Sequence, residues 1–389
     1  MKKVLVINTL YKKFGGEDSN IKDEVEALKK NFEVEYLEYD NKNKLNLHDI
    51  LGFLFRSNIS SNRLLEDTVN KFNPDYAYVH NVWFKANLGI FRILDKKQVK
   101  VLHKLHNYRF ECSRHLIKKN HLKSKTVCNA CGYRKENNLF FNKYYKESYL
   151  KSFLLNYFSR KYFKILKNSD YKLLVLSEFQ KSYLQNLGFK KSNISIYYNP
   201  INLNFNKSNN YKVNSGYIVF AGRIEQTKGI EEVLLSWLKI RPLDLKLKII
   251  GTGIEFERLS QKYNDNSIEF IGSISNENAL REIKNSRAVV TATKLYEGQP
   301  RVLLEASSFG VPSIFPNFGG MPEFFPSDYR LSFEQFNYEQ LNENMGNLNN
   351  KDLLKQESLK LSNFVNKKFN NKVSYEKFVS ILNEFDKDE

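Results

Sequence analysis

The sequence predicts an α/β protein made of two doubly wound parallel sheets. Short apolar runs, typical of strands covered on both faces, alternate with segments of helical spacing over residues 1–198 and again over 216–366. A polar, asparagine-rich stretch, 199–215, separates the two series and is typical of a linker. Because strands and helices alternate in each series, each is predicted to be a Rossmann-like domain, and 389 residues suffice for two.

The first series begins with an apolar run, "VLVIN", which we expect to be a buried strand. A glycine pair, Gly15 and Gly16, follows it, and helical spacing begins after the pair. The later strand-like runs are 32–39, 75–80, 100–106 and 172–177. A helix that ends at Gly188 comes next. We also assign 367–389 to the first domain, as a helix that crosses back to it.

The second series has strand-like runs at 217–222, 245–251, 268–272, 287–293 and 312–316. Pro300 is predicted to lie in the first turn of a helix that Gly310 closes, since its missing N–H costs nothing there. Ligands of doubly wound sheets bind at the carboxyl ends of strands. We therefore expect the two domains to face each other across a cleft that holds the ligand site.

The charge is strongly positive and unevenly spread. The net charge of the chain is +18, and residues 100–181 contain 19 lysines and arginines against 5 aspartates and glutamates, a net charge of +14. Such a segment attracts nucleic acid, an anionic membrane or a phosphorylated substrate, although a solvated basic face would look the same. Three cysteines are too few for a secreted disulfide framework, and no apolar run approaches a membrane span, so we expect a cytoplasmic protein.

Two glutamates flank the predicted helix start in "LYEGQPRVLLEASSFG". The free N–H groups of such a start attract an anion, and Arg301 adds positive charge there. Glu297 precedes the helix and Glu305 lies more than one turn inside it, where both carboxylates could accept hydrogen bonds from sugar hydroxyls. Arg223 and Lys228 follow the strand at 217–222. Together these groups suit a nucleotide sugar.

The ordered motifs resemble those of retaining glycosyltransferases of family 4, which have the GT-B architecture. Glu297 and Glu305 have the E-x7-E spacing of that family, "GGMPE" resembles the glycine-pair motif that follows it, and "FAGRIEQTKGIEEVL" resembles its diphosphate-binding segment. "GGE", "VHN" and "KLHNYRFEC" resemble a bacterial branch that makes cell-surface polysaccharides. The resemblance runs in order from about residue 4 to 323.

The resemblance implies a role for each matched residue. Glu297 would contact the donor sugar, Glu305 the ribose hydroxyls, and Arg223 and Lys228 the diphosphate leaving group, with His106 near the donor sugar. The other implied donor-binding residues are Gly15, Gly16, Gly251, Ile271, Gly298, Gln299, Pro300, Arg301 and Val302; Asn107 and Arg109 would bind the acceptor. No D-x-D motif follows a predicted strand, so we expect no catalytic metal and no cofactor beyond a UDP- or GDP-sugar donor.

The implied reaction transfers a sugar, with retention of its anomeric configuration, to a lipid-linked saccharide in the synthesis of lipopolysaccharide, capsule or exopolysaccharide. Segment 148–167 has apolar residues at helical spacing with basic residues on much of the rest. The apolar residues are Leu150, Phe153, Leu154, Tyr157, Tyr162, Ile165 and Leu166. Such a helix could attach the protein to the inner face of the cytoplasmic membrane, or it could pack on the sheet with a wet basic face.

Cys112, Cys128 and Cys131 include one C-x2-C pair, which suits structural zinc with His115 or His121 as a further ligand, or else a loop of reduced cysteines. Within the enzyme reading, a small soluble acceptor is the alternative. A protein of another class, which binds nucleic acid through residues 100–181, would leave the paired glutamates unexplained. A dinucleotide oxidoreductase is disfavoured because "FGGED" lacks the G-x-G-x-x-G pattern.

Overall fold

The computed structural model describes residues 1–10, 16–41, 52–55, 57–108, 148–201, 211–242, 244–369 and 371–387. The chain divides into two compact units. The first contains the described residues of Met1–Ser124, Lys135–Pro200 and Asn371–Glu389, and the second contains those of Ile201–Asn370. Each unit has its own parallel sheet, so the predicted α/β class is confirmed.

The first unit contains a six-stranded parallel sheet in the order β2-β1-β3-β4-β5-β6. Its strands are β1 Lys3–Leu10, β2 Glu33–Asp40, β3 Tyr76–Val79, β4 Lys100–Lys104, β5 Lys172–Val175 and β6 Ile194–Ile196. The strand order reverses between β1 and β3, which pair with each other from Val4 and Tyr76 to Ile7 and Val79. At such a reversal the connections leave in opposite directions and open a crevice at the carboxyl ends of the strands.

The helices of the first unit include α1 Gly16–Leu28, α2 Ile59–Phe72, α3 Gly89–Lys96, α4 Tyr149–Asn168 and α5 Glu178–Asn186. Polar side chains cap three of their N-termini. Asn58 accepts from the N–H of Ser61 at α2, and Ser148 and Ser177 cap α4 and α5 in the same way. These caps explain where the helices begin, because each satisfies a backbone donor that has no partner inside the helix.

The C-terminal helix, which becomes α12 in chain order, spans Asn371–Lys387 and packs on the sheet of the first unit. Phe378, Ile381 and Leu382 are almost fully buried in the same cluster as Val4 and Val6 of β1. At the end of this helix, the carboxylate of Asp386 accepts hydrogen bonds from the side chains of Lys2 at 2.6 Å, Tyr76 at 2.7 Å and Lys100 at 3.1 Å.

The second unit contains another six-stranded parallel sheet, in the order β12-β11-β10-β7-β8-β9. Its strands are β7 Tyr217–Ala221, β8 Lys246–Ile250, β9 Ile268–Gly272, β10 Val289–Val290, β11 Ser313–Asn317 and β12 Ser332–Glu334. Counted within the unit, this is the Rossmann order 3-2-1-4-5-6 read from β9, and the reversal lies between β7 and β10. Its helices include α6 Ile230–Ile240, α7 Phe256–Lys262, α8 Asn276–Asn285, α9 Arg301–Ser308, α10 Tyr338–Gly346 and α11 Lys351–Lys368.

Two local predictions in the second unit are wrong in detail. The strand predicted over 287–293 is regular only at Val289–Val290, because the chain bends toward the next helix after Thr291 donates its last bond to Ile314. Pro300 precedes the first turn instead of lying in it: it is the N-cap of α9, with φ −78° and ψ 83°. Within the described residues, no helix has both the length and the apolar content to cross a bilayer.

Candidate functional site

A partly buried ion pair joins the loops that follow β7 and β10, the two strands between which the strand order of the second unit reverses. Lys228, in the loop after β7, places its Nζ 2.6 Å from Oε1 of Glu297, in the loop after β10. The same carboxylate oxygen accepts a hydrogen bond from Oγ1 of Thr293 at 3.0 Å. Both charged side chains are about one-fifth exposed, at 21% and 22%. A salt bridge in this position brings together two of the residues that the motifs singled out.

The environment of Glu297 keeps it ionised. Burial raises the pKa of its carboxyl, but the charge and hydrogen bond of Lys228, together with Thr293, outweigh burial and hold the pKa below its usual range. A carboxylate in this state accepts hydrogen bonds and repels other anions. It is therefore suited to bind a hydroxyl or a cation, and unsuited to donate a proton.

Three contacts fix the Lys228 loop against the Glu297 loop. Gly229 has φ +67°, and a Cβ there would lie 1.9 Å from the carbonyl oxygen of Ala292. The N–H of Lys294 donates to the carbonyl of Thr227 at 2.9 Å. The side chain of Lys294 is 5% exposed and lies 2.5 Å from Glu232. Only glycine permits this approach, so the close packing depends on the "KG" pair.

Each residue of this ion pair is followed closely in the chain by a helix N-terminus without a side-chain cap. Gly229 is the N-cap of α6 and Pro300 is the N-cap of α9, and neither helix start has a side-chain capping bond among the described residues. Neither glycine nor proline carries a polar side chain that could accept the first backbone N–H groups. Because helix N-termini attract anions, a negatively charged ligand would find two such ends here.

Glycines at the carboxyl ends of three neighbouring strands shape the adjoining surface. Gly222, Gly251 and Gly272 follow or end β7, β8 and β9 and all have positive φ. A Cβ at Gly251 would lie 1.9 Å from the carbonyl oxygen of Gly222, whereas the Cβ direction of Gly222 meets no atom within 4 Å. Gly222 therefore exposes bare backbone at the predicted donor side, and Gly251 lets the next strand end pass close to it. Ile271, also predicted there, lies in β9 and is half-buried.

The remaining predicted cations also have acidic neighbours. Nη1 of Arg223 lies 3.0 Å from Oε1 of Glu225, and its side chain is 66% exposed. Nε of Arg301 lies 2.7 Å from Oε1 of Glu305, one helical turn away in α9. Gly298 and Gln299 lie in the loop before α9, and Val302 lies in its first turn. Each of the two motif glutamates thus contacts a cation of its own chain.

The first unit places His106 beside a second histidine. Nε2 of His106 lies 2.9 Å from Nδ1 of His80, which follows β3 in the "VHN" motif. Burial is the main cause that holds the pKa of both imidazoles well below the usual range, so both rings are neutral near pH 7. The next cause is the neighbouring His106 for His80 and the charge of Lys104 for His106. Nδ2 of Asn107 lies 3.4 Å from a carboxylate oxygen of Glu17 and so links this segment to "GGE".

A buried ion pair with further polar contacts lies near these histidines. Nζ of Lys104 contacts Oε1 of Glu24 at 2.6 Å, with side chains 0% and 1% exposed. The hydroxyl of Tyr78 donates to the same carboxylate at 2.8 Å, and the ammonium lies 4.3 Å from the ring centroid of Tyr197. Sequence reasoning missed this network, although a lysine at the end of the apolar run "KVLHK" was a signal.

Several predicted residues lie outside the described part of the chain: Gly15, Arg109, Cys112, Cys128 and Cys131, and with them His115 and His121. Gly16 is the first residue of α1. Among the residues that are described, no group of three or more His, Cys, Asp or Glu side chains could hold a metal ion. The possible zinc site of the cysteines stays a prediction.

The match to a known protein family lies almost entirely in the second unit. Residues 203–378 match the model of the family described as glycosyl transferases group 1, and this stretch contains Lys228, Glu297 and Glu305. The second unit is similar to this glycosyl transferase family over nearly all of its length. The match confirms the predicted resemblance to GT-B glycosyltransferases. It does not test the assignment to family 4 or the retention of the anomeric configuration.

One curated relative is similar over part of the chain, and two solved structures share the fold. The chain is 30% identical over 150 residues to the amylovoran biosynthesis glycosyltransferase AmsD of Erwinia amylovora, a match that covers 37% of this chain and 42% of AmsD. It thus spans less than half the length of that relative. Sucrose-phosphate synthase from Thermosynechococcus elongatus has a similar fold, with a TM-score of 0.73 at 14% identity over 100% of both chains. Anabaena HepE in complex with UDP-glucose gives 0.68 at 13% identity over 98% of this chain and 100% of HepE.

Proposed function

We propose that this protein is a retaining glycosyltransferase that moves a sugar from a UDP- or GDP-sugar to a lipid-linked saccharide during synthesis of a cell-surface polysaccharide. The observation that carries the proposal is the junction of Lys228 and Glu297 between two helix starts that lack side-chain caps. That junction combines a cation, a hydroxyl-binding carboxylate and backbone donors, which a sugar diphosphate requires. HepE, whose fold is similar, was solved with UDP-glucose.

The chemistry follows from the charge that develops on the leaving group. When the bond between the sugar and the diphosphate breaks, negative charge grows on the diphosphate. Lys228, Arg223 and the N-termini of α6 and α9 would stabilise that charge from positions fixed before the reaction. Glu297, ionised at neutral pH, would accept a hydrogen bond from a sugar hydroxyl. Glu305 would accept from the ribose, in exchange for part of its contact with Arg301.

The acceptor is proposed to come from a membrane. Helix α4 carries an exposed strip in which Tyr149, Leu150 and Phe153 are 49%, 69% and 55% exposed, and the basic residues Arg160 and Lys164 continue the exposed face. The strip differs from the predicted apolar stripe, because Tyr162 and Leu166 of that stripe, together with Leu155, Phe158 and Phe163, are the residues that pack inward. Exposed aromatic residues beside lysine and arginine suit an anionic lipid surface.

The role of AmsD supports the proposed pathway class. AmsD is a glycosyltransferase of amylovoran biosynthesis, and this chain shares 30% identity with it over 150 residues. A transferase with a small soluble acceptor would share the donor site but would not need the exposed strip of α4. Vesicle binding therefore separates the two alternatives.

A thermal-shift screen of UDP-, GDP- and other nucleotide sugars tests the donor site. We expect one donor class to raise the melting temperature of the wild-type protein and to do so much less in Glu305→Ala, because the ribose contact is lost. Gly346→Ala is a matched control, since a Cβ there meets no atom within 4 Å. A donor that stabilises wild type and Glu305→Ala equally would contradict the proposed ribose contact, and the absence of any stabilising donor would contradict the proposed function.

Flotation with vesicles tests the membrane site. We expect binding to vesicles that contain anionic lipid, and loss of binding when Leu150 and Phe153 are both replaced by serine. Leu235→Ser is the control, because Leu235 is similarly exposed, at 55%, but lies on α6 of the second unit. Equal flotation of both variants would argue against attachment through α4. NMR of the product would report whether the anomeric configuration of the donor is retained.

A further inference from the structure

The contact between His80 and His106 has the geometry of a hydrogen bond between two ring edges. Nδ1 of His80 and Nε2 of His106 are 2.9 Å apart, the ring planes are within 22° of each other, and the centroids are 5.2 Å apart. That separation is close to the nitrogen–nitrogen distance plus two ring radii. The rings therefore meet in one plane at their nitrogens, as a hydrogen bond requires, and do not stack face to face.

Only one proton can occupy this contact, because a neutral imidazole has one N–H and one bare nitrogen. In one arrangement, His80 donates from Nδ1 and His106 carries its own proton on Nδ1. In the other, His106 donates from Nε2 and His80 must carry its proton on Nε2. The two arrangements make opposite predictions for the nitrogen that His106 can offer to a ligand.

The surroundings of His80 decide between them. His80 is 2% exposed, and its Nε2 has no hydrogen-bond partner within the described structure. Among backbone groups, a buried N–H without an acceptor is rarer than a buried carbonyl without a donor, and we apply the same preference to the imidazole. The arrangement with a proton on Nε2 of His80 is therefore disfavoured. The ring is held in place, since its backbone N–H donates to Ile7 at 2.9 Å and Tyr78 packs on it with centroids 4.3 Å apart.

We infer that His80 is a positioning residue that donates Nδ1–H to Nε2 of His106 and so fixes His106 as the tautomer that carries its own proton on Nδ1 and can donate it to a ligand. This inference rests on the proposed function, with the added proposal that His106 contacts a substrate. It specifies that the neutral ring of His106 would donate a hydrogen bond to an oxygen atom of a substrate. His106 then cannot accept a proton at Nε2 during the reaction, because that nitrogen is occupied by His80.

The tautomer can be read directly from ring ¹⁵N spectra of the full-length protein labelled in its six histidines. Long-range proton–nitrogen correlation distinguishes an Nδ1–H ring from an Nε2–H ring, and His106→Gln identifies the signals of His106. We expect His106 to be an Nδ1–H ring in wild type and in His80→Asn, whose amide nitrogen can replace Nδ1 as donor. In His80→Leu, the signals should change to Nε2–H or to a mixture.

His103 supplies the matched control. It is equally buried, but its Nδ1 contacts the carbonyl of Val79 at 2.8 Å and its Nε2 contacts the hydroxyl of Tyr162, so it does not bond to His106. We expect His103→Gln to alter stability and to leave the tautomer of His106 unchanged. An Nε2–H signal for His106 in wild type, or an unchanged signal in His80→Leu, would overturn the inference.

Kinetics test the consequence for transfer. We expect kcat to fall about tenfold in His80→Leu, as for the loss of one hydrogen bond to a buried group, and to stay within about threefold of wild type in His80→Asn. The donor-induced thermal shift should be similar in both variants. An unchanged kcat in His80→Leu would contradict the positioning role. If no donor stabilises wild type, the proposed function fails, while the ring spectra still decide the tautomer.

Discussion

Replacement of Gly229 by alanine tests whether the fit between two loops builds the donor site. The Cβ would lie 1.9 Å from the oxygen and 2.4 Å from the carbonyl carbon of Ala292, both backbone atoms that cannot rotate away. The left-handed conformation of residue 229 costs about 1–2 kcal/mol for alanine, and relief of the clash costs roughly 1–3 kcal/mol. We therefore expect the free energy of unfolding to fall by about 2–5 kcal/mol, or roughly 4–20 °C in melting temperature.

The same substitution should impair donor binding. Gly229 directly follows Lys228 in the chain and is the N-cap of α6. Relief of the clash with Ala292 must therefore move Lys228 and the start of α6 away from the Glu297 loop. Thermal denaturation with and without the best donor of the screen measures both effects, with Gly346→Ala as the control, expected within about 1 kcal/mol of wild type. A Gly229→Ala protein with wild-type stability and wild-type donor shift would refute this account of the site.

Three further substitutions test other parts of the structure. Lys104→Met should lower the free energy of unfolding by about 3–5 kcal/mol, since it leaves Glu24 buried without its cation, and the double change with Glu24→Gln should recover much of that loss in denaturant titrations. Burial alone would raise the pKa of Asp386, but hydrogen bonds from lysine and tyrosine lower it to about 2. Its stabilising contribution is therefore complete above the ordinary aspartate pKa and is lost as the pH falls toward about 2, so the melting temperatures of Asp386→Asn and wild type should converge in acid. Arg301→Met should release Glu305 from its ion pair and change donor affinity more than thermal stability, as measured by the donor shift.

The sequence predicts ten of the twelve strands that the structure describes, because most of them are apolar or alternating runs between segments of helical spacing. It misses β6 and β12, which at three residues each are too short to give such a pattern. It predicts β10 poorly, since the apolar run "RAVVTAT" continues past the point where the chain must leave the sheet to bring Glu297 to Lys228. The strand propensity of a segment does not show at which residue the chain leaves the sheet. The same limitation explains Pro300, which the helix-start rule places one residue too far inside α9.

The sequence predicts a set of candidate site residues, but it does not predict which of them contact one another. Motif spacing identifies Glu297, Glu305, Arg223 and Lys228, but the pairing of each acid with a cation depends on side-chain geometry that one sequence does not encode locally. His80 is visible only as one letter of "VHN", because its contact with His106 joins residues 26 positions apart. Contacts between side chains of neighbouring strands can be predicted only when the strand order of the sheet is already known.

The acid partners of the cations determine how the donor site should respond to salt. Lys228, Arg223 and Arg301 each have a carboxylate within 3.0 Å. The negative charge of that carboxylate partly cancels the electric field of the cation at long range, so each cation acts mainly on groups that contact it. Raising the ionic strength from about 0.1 to about 1 M shortens the screening length from about 10 to about 3 Å. Donor affinity should then change less than about fivefold, whereas vesicle binding through the exposed basic face of α4 should weaken more than about tenfold. Calorimetry of donor binding and flotation at both salt concentrations measure the two responses. If donor affinity fell in parallel with vesicle binding, the diphosphate would be held by the diffuse positive charge of the chain instead of by the junction of α6 and α9.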